Sequence, residues 1–173
     1  TGKLTYLQEN IYSKLETYHG IDKAKKYLNS QLDAINLVKN IIDTNDIKCN
    51  LEKVDSYVFN KYKENKLDKE ITTINKLNIP IQITSKLPNS DKINKAFYGN
   101  NTYVFHPLKY IYALEDICLK NNISIYENTK ILKIEKDNNF FICKTKNNCI
   151  KAKYVVLAMH YPYFLLPFFT PLK

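Results

Sequence analysis

Apolar residues recur at helical spacing over two stretches near the amino terminus. Tyr6 to His19 places Leu7, Ile11 and Leu15 on one side, and Ile21 to Thr44 does the same with Leu28, Leu32, Ile35 and Ile42. Gly20 stands between them as a helix stop. The period then changes. Val54 to Asn60 alternates as a strand, Lys66 to Leu77 is helical again, and Ile81 to Thr84 is extended. Lys92 to Phe105 reads as a hairpin turning at Gly99-Asn100-Asn101. Pro107 is placed to open a helix from Leu108 to Lys120, whose stripe Ile111, Leu114, Ile117 and Cys118 would pack on a sheet before Asn121-Asn122 ends it.

The last third of the chain carries a different signal. Ile123-Ser124-Ile125-Tyr126 reads as a short strand, and Tyr154-Val155-Val156-Leu157-Ala158 is an uninterrupted apolar run of the kind buried on both faces of a parallel sheet. Parallel partners need a crossover. Here Thr129 to Lys136, Phe140 to Lys146 and Cys149 to Lys153 all read as strands, with turns at Asp137-Asn138-Asn139 and Asn147-Asn148. A three-stranded β-meander therefore stands where a crossover helix would be expected. On this reading Tyr154 to Ala158 is a central strand parallel to Ile123 to Tyr126, with Val155, Val156 and Leu157 in the core, so that Val156→Asp would unfold the chain. The fold class is mixed α/β, with 47–106 read as a second, mixed domain inserted into the first.

Composition changes this picture little. All 26 basic residues are Lys, Arg and Trp are absent, and Asn, Ile and Tyr are abundant, a usage that matches codon bias in an AT-rich genome. The net charge of +9 comes from lysines spread along the whole chain and mixed with Asp and Glu, not gathered on one face with interleaved aromatics, which argues against a nucleic-acid partner. An apolar content of 45% is enough for a real core. Cys49, Cys118, Cys143 and Cys149 form no Cys-x-x-Cys pair and read as reduced thiols in a cytoplasmic protein. Cys143 and Cys149 flank one hairpin turn, and their register is left open by the sequence. His19, His106 and His160 stand too far from any Cys cluster to suggest a metal site. Tyr161 to Leu172 is short and broken by Pro162, Pro167 and Pro171, so no stretch has the length of a membrane span.

A family resemblance rests on the order of several short pieces. Thr1-Gly2-Lys3-Leu4-Thr5 is followed by two helices, a Tyr57-Val58-Phe59 strand, Ser85-Lys86-Leu87-Pro88 and Lys95-Ala96-Phe97. Phe105-His106-Pro107 with Tyr110 and Leu114 comes next, then Ile125-Tyr126-Glu127-Asn128-Thr129 and Lys151-Ala152-Lys153-Tyr154-Val155-Val156-Leu157-Ala158. This series resembles the middle of an FAD-dependent oxidoreductase of the D-amino-acid oxidase and glycine oxidase (DAO) superfamily. The resemblance implies FAD as cofactor, a small amine or amino acid as substrate, and part of a Rossmann-like FAD-binding domain beside part of an antiparallel substrate domain. It implies helices of the FAD-binding domain at 1–46, a substrate-domain portion at 47–106, the FAD-binding domain with its meander at 107–160, and a return toward the substrate domain at 161–173. The only glycines are Gly2, Gly20 and Gly99, so residues 1–173 cannot contain a Gly-x-Gly-x-x-Gly pyrophosphate fingerprint. The expectation is a fragment lacking the first βαβ unit and the closing carboxyl-terminal part, inactive alone, with a partner chain or flanking sequence supplying the rest.

Site residues follow only where positions match. Thr1, Gly2, Lys3 and Leu4 resemble the loop beside the FAD, where a hydroxyl, a side-chain-free backbone and a cation could serve phosphate or flavin oxygens; equally, Thr1 or Thr5 could be an ordinary cap of the first helix. Ile131 matches a meander strand that lies against the adenine, and reads as well as a core residue. Ala158, Met159 and His160 match the strand end that approaches the cofactor, His160 departing from the glycine common there. No catalytic residue is assigned. His160 could donate to a flavin edge or be structural, and His106 reads as a turn residue held extended by Pro107. With no Arg in the chain, a clamp on a substrate carboxylate uses Lys or lies elsewhere.

Overall fold

The computed structural model describes residues 2–60, 66–89 and 93–159. Its elements, in chain order, are β1 (Gly2–Leu4), α1 (Ile11–His19), α2 (Ile21–Thr44), β2 (Glu52–Asn60), α3 (Lys66–Lys76), β3 (Gln82–Thr84), β4 (Lys95–Phe105), α4 (Pro107–Lys120), β5 (Lys133–Asp137), β6 (Phe140–Lys144) and β7 (Cys149–Ala152). They divide into two compact units, Thr1–Asn121 and Asn122–Lys173.

In the first unit β4 is the organising strand. It pairs antiparallel with β2 along one edge, and with β1 and β3 end to end along the other. The helices α1, α2 and α3 cover one face of this sheet. Tyr12, Ala24, Leu28, Ile35, Ile71 and Ile74 meet Phe97 there in a continuous core, with Leu4, Val58 and Tyr103 packed against it. Gly20, at φ 80°, closes α1 and opens α2, as the helix-stop reading expects.

Three local devices shape this unit where the sequence pattern misleads. Helix α1 begins at Ile11 rather than Tyr6, because Glu9 sits at φ 46° and the Thr5 hydroxyl holds a tight turn by accepting from Leu7 N at 3.1 Å. Thr5 therefore caps no helix, although Tyr6 and Leu7 are buried as expected. The Asn10 side chain offers α1 no cap either. Instead the Glu70 carboxylate, from α3, accepts from Tyr12 N at 3.0 Å and Ser13 N at 2.7 Å, so one helix caps another with a buried charge at the positive end of its dipole. Finally, Gly99-Asn100-Asn101 makes no hairpin turn. Lys95 to Phe105 is one strand, and the register jumps from Val54↔Thr102 to Ser56↔Gly99, with Asn101 at φ 61°. The glycine-asparagine run is a β-bulge: the extra residue kinks the strand without reversing it.

Helix α4 has Pro107 at its first turn and ends at Asn121, as the sequence indicates. Tyr110, Ala113, Leu114 and Ile117 share one side and pack with Phe105 against Ile42, Ile47 and Cys49. Leu108, Ile111, Tyr112 and Leu119 fall on the opposite side at 100° per residue and are all more than half exposed. The expected stripe is thus split: Leu114 and Ile117 pack, and Ile111 does not.

The second unit holds the meander. Sheet order β5-β6-β7 is antiparallel, with Asp137 opposite Phe140 across a tight turn that places Asn138 at φ 52°. The parallel pair expected on either side of it is not formed. Ile123–Tyr126 and Tyr154–Ala158 lie in no strand, and Tyr154 is 77% and Val156 87% exposed. A parallel strand is held by neighbours on its edges and by cover on its faces. Among the described residues none pairs with these two segments, so their apolar content alone does not make them a sheet.

Candidate functional site

Three of the expected cofactor residues, Gly2, Lys3 and Leu4, come together as β1, a strand rather than a loop, facing Phe105, Val104 and Tyr103 respectively. Leu4 packs toward the core and Lys3 is exposed. A Cβ on Gly2 would come within 2.6 Å of Phe105 Cε1 and 2.7 Å of Cζ, so the Phe105 ring already fills the space beside this glycine. The Lys39 ammonium donates to the Tyr103 hydroxyl at 3.0 Å, placing a second cation by the strand that carries Leu4's partner.

The same end of the sheet runs into α4. His106 is extended at φ −90° and ψ 104°, the conformation the following proline imposes, and its Nδ1 caps α4 by accepting from Lys109 N at 3.3 Å. Its own N–H donates to Cys49 O at 2.7 Å, and Lys109 Nζ donates to Asn50 Oδ1 at 2.9 Å. Around this corner lies a cavity of about 570 Å³ lined by Asn50, Glu52, Val104, Phe105, His106, Pro107 and Leu108. Burial, with the nearby Cys49 thiol adding, pushes the Tyr110 hydroxyl up from its ordinary value. Sequence reasoning missed Asn50 and Glu52, which belong to no motif. The one available signal was the Asn itself, which stands at φ 54° where the chain turns into β2. A second cavity, about 450 Å³, sits at the far end of β2 against Glu9, Asn10, Lys14, Val58, Phe59, Asn60 and Leu67.

The other expected contacts belong to the second unit. Ile131 is half-buried and lies just ahead of β5, with Leu132 N donating to Lys144 O at 2.7 Å to start the ladder. Ala158 and Met159 follow β7 outside any strand, and Ala158 is exposed. Thr1 and His160 lie outside the described residues. On the meander, Glu135 bridges Lys133 and Lys144 at 2.5 Å each. Hydrogen bonds from those two ammonium groups, and their charge, hold its carboxyl at about 2. Cys143 is opposite Ile150 and Cys149 opposite Lys144, so the two thiols point to opposite faces of the hairpin and cannot bridge. All four cysteines are free, and no metal-binding cluster of His, Cys, Asp or Glu occurs among the described residues. No helix among them is long and apolar enough to cross a membrane.

Residues 6–170 match the family of FAD dependent oxidoreductases designated DAO. The chain belongs to that family, and FAD is the family's cofactor. Its fold is similar to glycine oxidase from Geobacillus kaustophilus (TM-score 0.68, 16% identity, 76% of this chain and 39% of that one). It is also similar to an L-α-glycerophosphate oxidase from Mycoplasma pneumoniae, solved in the dithionite-reduced state with FAD bound (TM-score 0.55, 14% identity, 85% and 38%). In sequence it is 27% identical over 166 residues to YhfW of Bacillus subtilis, a candidate Rieske 2Fe-2S iron-sulfur protein, covering 95% of this chain and 33% of that protein. The chain thus spans between a third and two fifths of the length of these relatives.

The residues present fit FAD in part. Lys3 is exposed on the sheet-edge strand β1, so its ammonium is open to an anionic group. Gly2 is not an open phosphate cradle, because Phe105 occupies the space its missing side chain leaves. With three scattered glycines, residues 1–173 contain no Gly-x-Gly-x-x-Gly pyrophosphate fingerprint.

Proposed function

We propose that residues 1–173 act as the central part of an FAD-dependent oxidoreductase that oxidises a small amine or amino acid. The observation that carries this reading is the family match over 6–170, supported by the likeness to a glycine oxidase fold. When bound, the flavin supplies the acceptor for a hydride from a C–H beside an amine nitrogen. The part this chain plays is to wall the site, orient substrate and exclude water. Thr1, Gly2, Lys3 and Leu4 would face the flavin side, Ile131 the adenine, and Ala158, Met159 and His160 would approach the cofactor after the meander. The domain partition that goes with this reading places 1–46 and 107–160 in the FAD-binding domain, 47–106 in the substrate domain, and 161–173 in the return to it. The pyrophosphate turn comes from outside residues 1–173, from flanking sequence or a partner chain. A substrate carboxylate would be met by Lys, since Arg is absent. Four free thiols fit a reducing, cytoplasmic setting.

The relative named for a Rieske centre favours one refinement: electrons leave the flavin toward an iron–sulfur centre rather than to oxygen. A second reading, a non-catalytic remnant that buries its incomplete surface against a partner chain, is favoured by the bare Tyr154 and Val156. Anaerobic mixing of the protein, expressed as its genome encodes it, with a panel of amines and amino acids separates the two. Bleaching of bound flavin supports the oxidoreductase, and a colourless protein that co-purifies with a partner supports the remnant.

A further inference from the structure

Residue 2 raises a question about its own chemistry: whether it is glycine because a cofactor must approach it or because something in the fold already does. β1 has only three residues and sits at the sheet edge, so few backbone bonds fix its position. Directly across the ladder stands Phe105. Its ring is the nearest feature to the site where a Gly2 side chain would be, with Cε1, Cζ and Cδ1 at 2.6, 2.7 and 3.0 Å. An aromatic ring laid over an edge glycine on the neighbouring strand shields that strand's backbone and pins its register. The ring is not free to yield. It meets Tyr110 edge-on, with centroids 5.6 Å apart and planes at 81°, and packs into the cluster of Ile42, Ile47 and Cys49. Moving it aside to admit a methyl group would break that packing at the start of α4.

We infer that Phe105 is a positioning residue for the proposed flavin-facing strand: it covers Gly2, locks β1 onto β4, and is the reason residue 2 is glycine. The inference rests on the proposed function only for the word flavin; the steric lock itself does not. The test is a double-mutant cycle of Gly2→Ala and Phe105→Leu, read by thermal unfolding of residues 1–173 and by flavin affinity of the protein as its genome encodes it. Gly2→Ala should lower the melting temperature by roughly 4 °C or more and weaken flavin binding about tenfold or more. Phe105→Leu alone should speed amide exchange at Lys3 and Leu4. Adding Phe105→Leu to Gly2→Ala should recover most of both losses, because the smaller side chain makes room for the methyl group. Additive losses would overturn the inference. Recovery of stability without recovery of flavin affinity would overturn the positioning role and show that the cofactor itself needs glycine there. A genome-encoded protein that binds no flavin contradicts the proposed function and with it the positioning role, while the melting temperatures still decide whether Phe105 keeps residue 2 a glycine.

Discussion

At the residue scale, the decisive contacts join positions far apart in sequence, which is why the candidate site was only half legible. Gly2, Lys3 and Leu4 were singled out from family resemblance, but Phe105, the side chain that fills the space beside Gly2, comes from the other end of the unit and announces nothing by its type. Glu70 is another such case. It reads as a polar residue on an amphipathic helix, yet it is 1% exposed and caps α1 through Tyr12 N and Ser13 N. Glu70→Ala would leave one buried and one part-buried backbone donor without its acceptor, and urea denaturation should show a loss of about 2 kcal/mol. Glu135 makes a pH prediction. Its carboxyl is held at about 2 by Lys133 and Lys144, below the ordinary carboxylate range. A lowered folded-state value means that the stabilisation is fully present above the unfolded value and is lost as pH falls through about 2. An NMR titration should place the Glu135 midpoint near the lower end of that window, and Lys144→Met should move it up. The groups are exposed, so the change in overall stability should be slight.

At the element scale, periodicity was a dependable guide where local and tertiary forces agree. The helix over Ile21–Thr44, the proline-opened helix ending at Asn121, and all three meander strands stand close to where alternation and turn residues place them. It failed where pairing partners decide. Gly99-Asn100-Asn101 has turn composition but bulges a continuous strand, because β2 runs alongside both halves of β4. Tyr154–Ala158 has the composition of a buried strand and no partner among the described residues. These opposite outcomes give a paired test. Leu114→Asp, in the packed face of α4, should cost about 2 kcal/mol or more by chemical denaturation. Val156→Asp, at 87% exposure, should stay within about 0.5 kcal/mol in the same chain, where sequence alone had it unfolding the protein. A large loss at Val156 would mean that the segment is buried after all.

At the scale of the whole molecule, family membership and partial coverage of the relatives are two sides of one account. The match runs over 6–170, yet the chain spans 33% of its sequence relative and 39% of the glycine oxidase, and residues 1–173 hold no pyrophosphate turn. Residues 1–173 by themselves should therefore purify colourless, since the strongest phosphate contacts of such cofactors come from backbone N–H groups at a glycine-rich helix start. The most direct measurement is the visible absorbance of the protein expressed as its genome encodes it, with any flanking sequence or partner chain present. The account predicts flavin bands at one FAD per chain, bleached anaerobically by an amine or amino acid; a well-folded protein that remains colourless, with FAD added in excess, would contradict it.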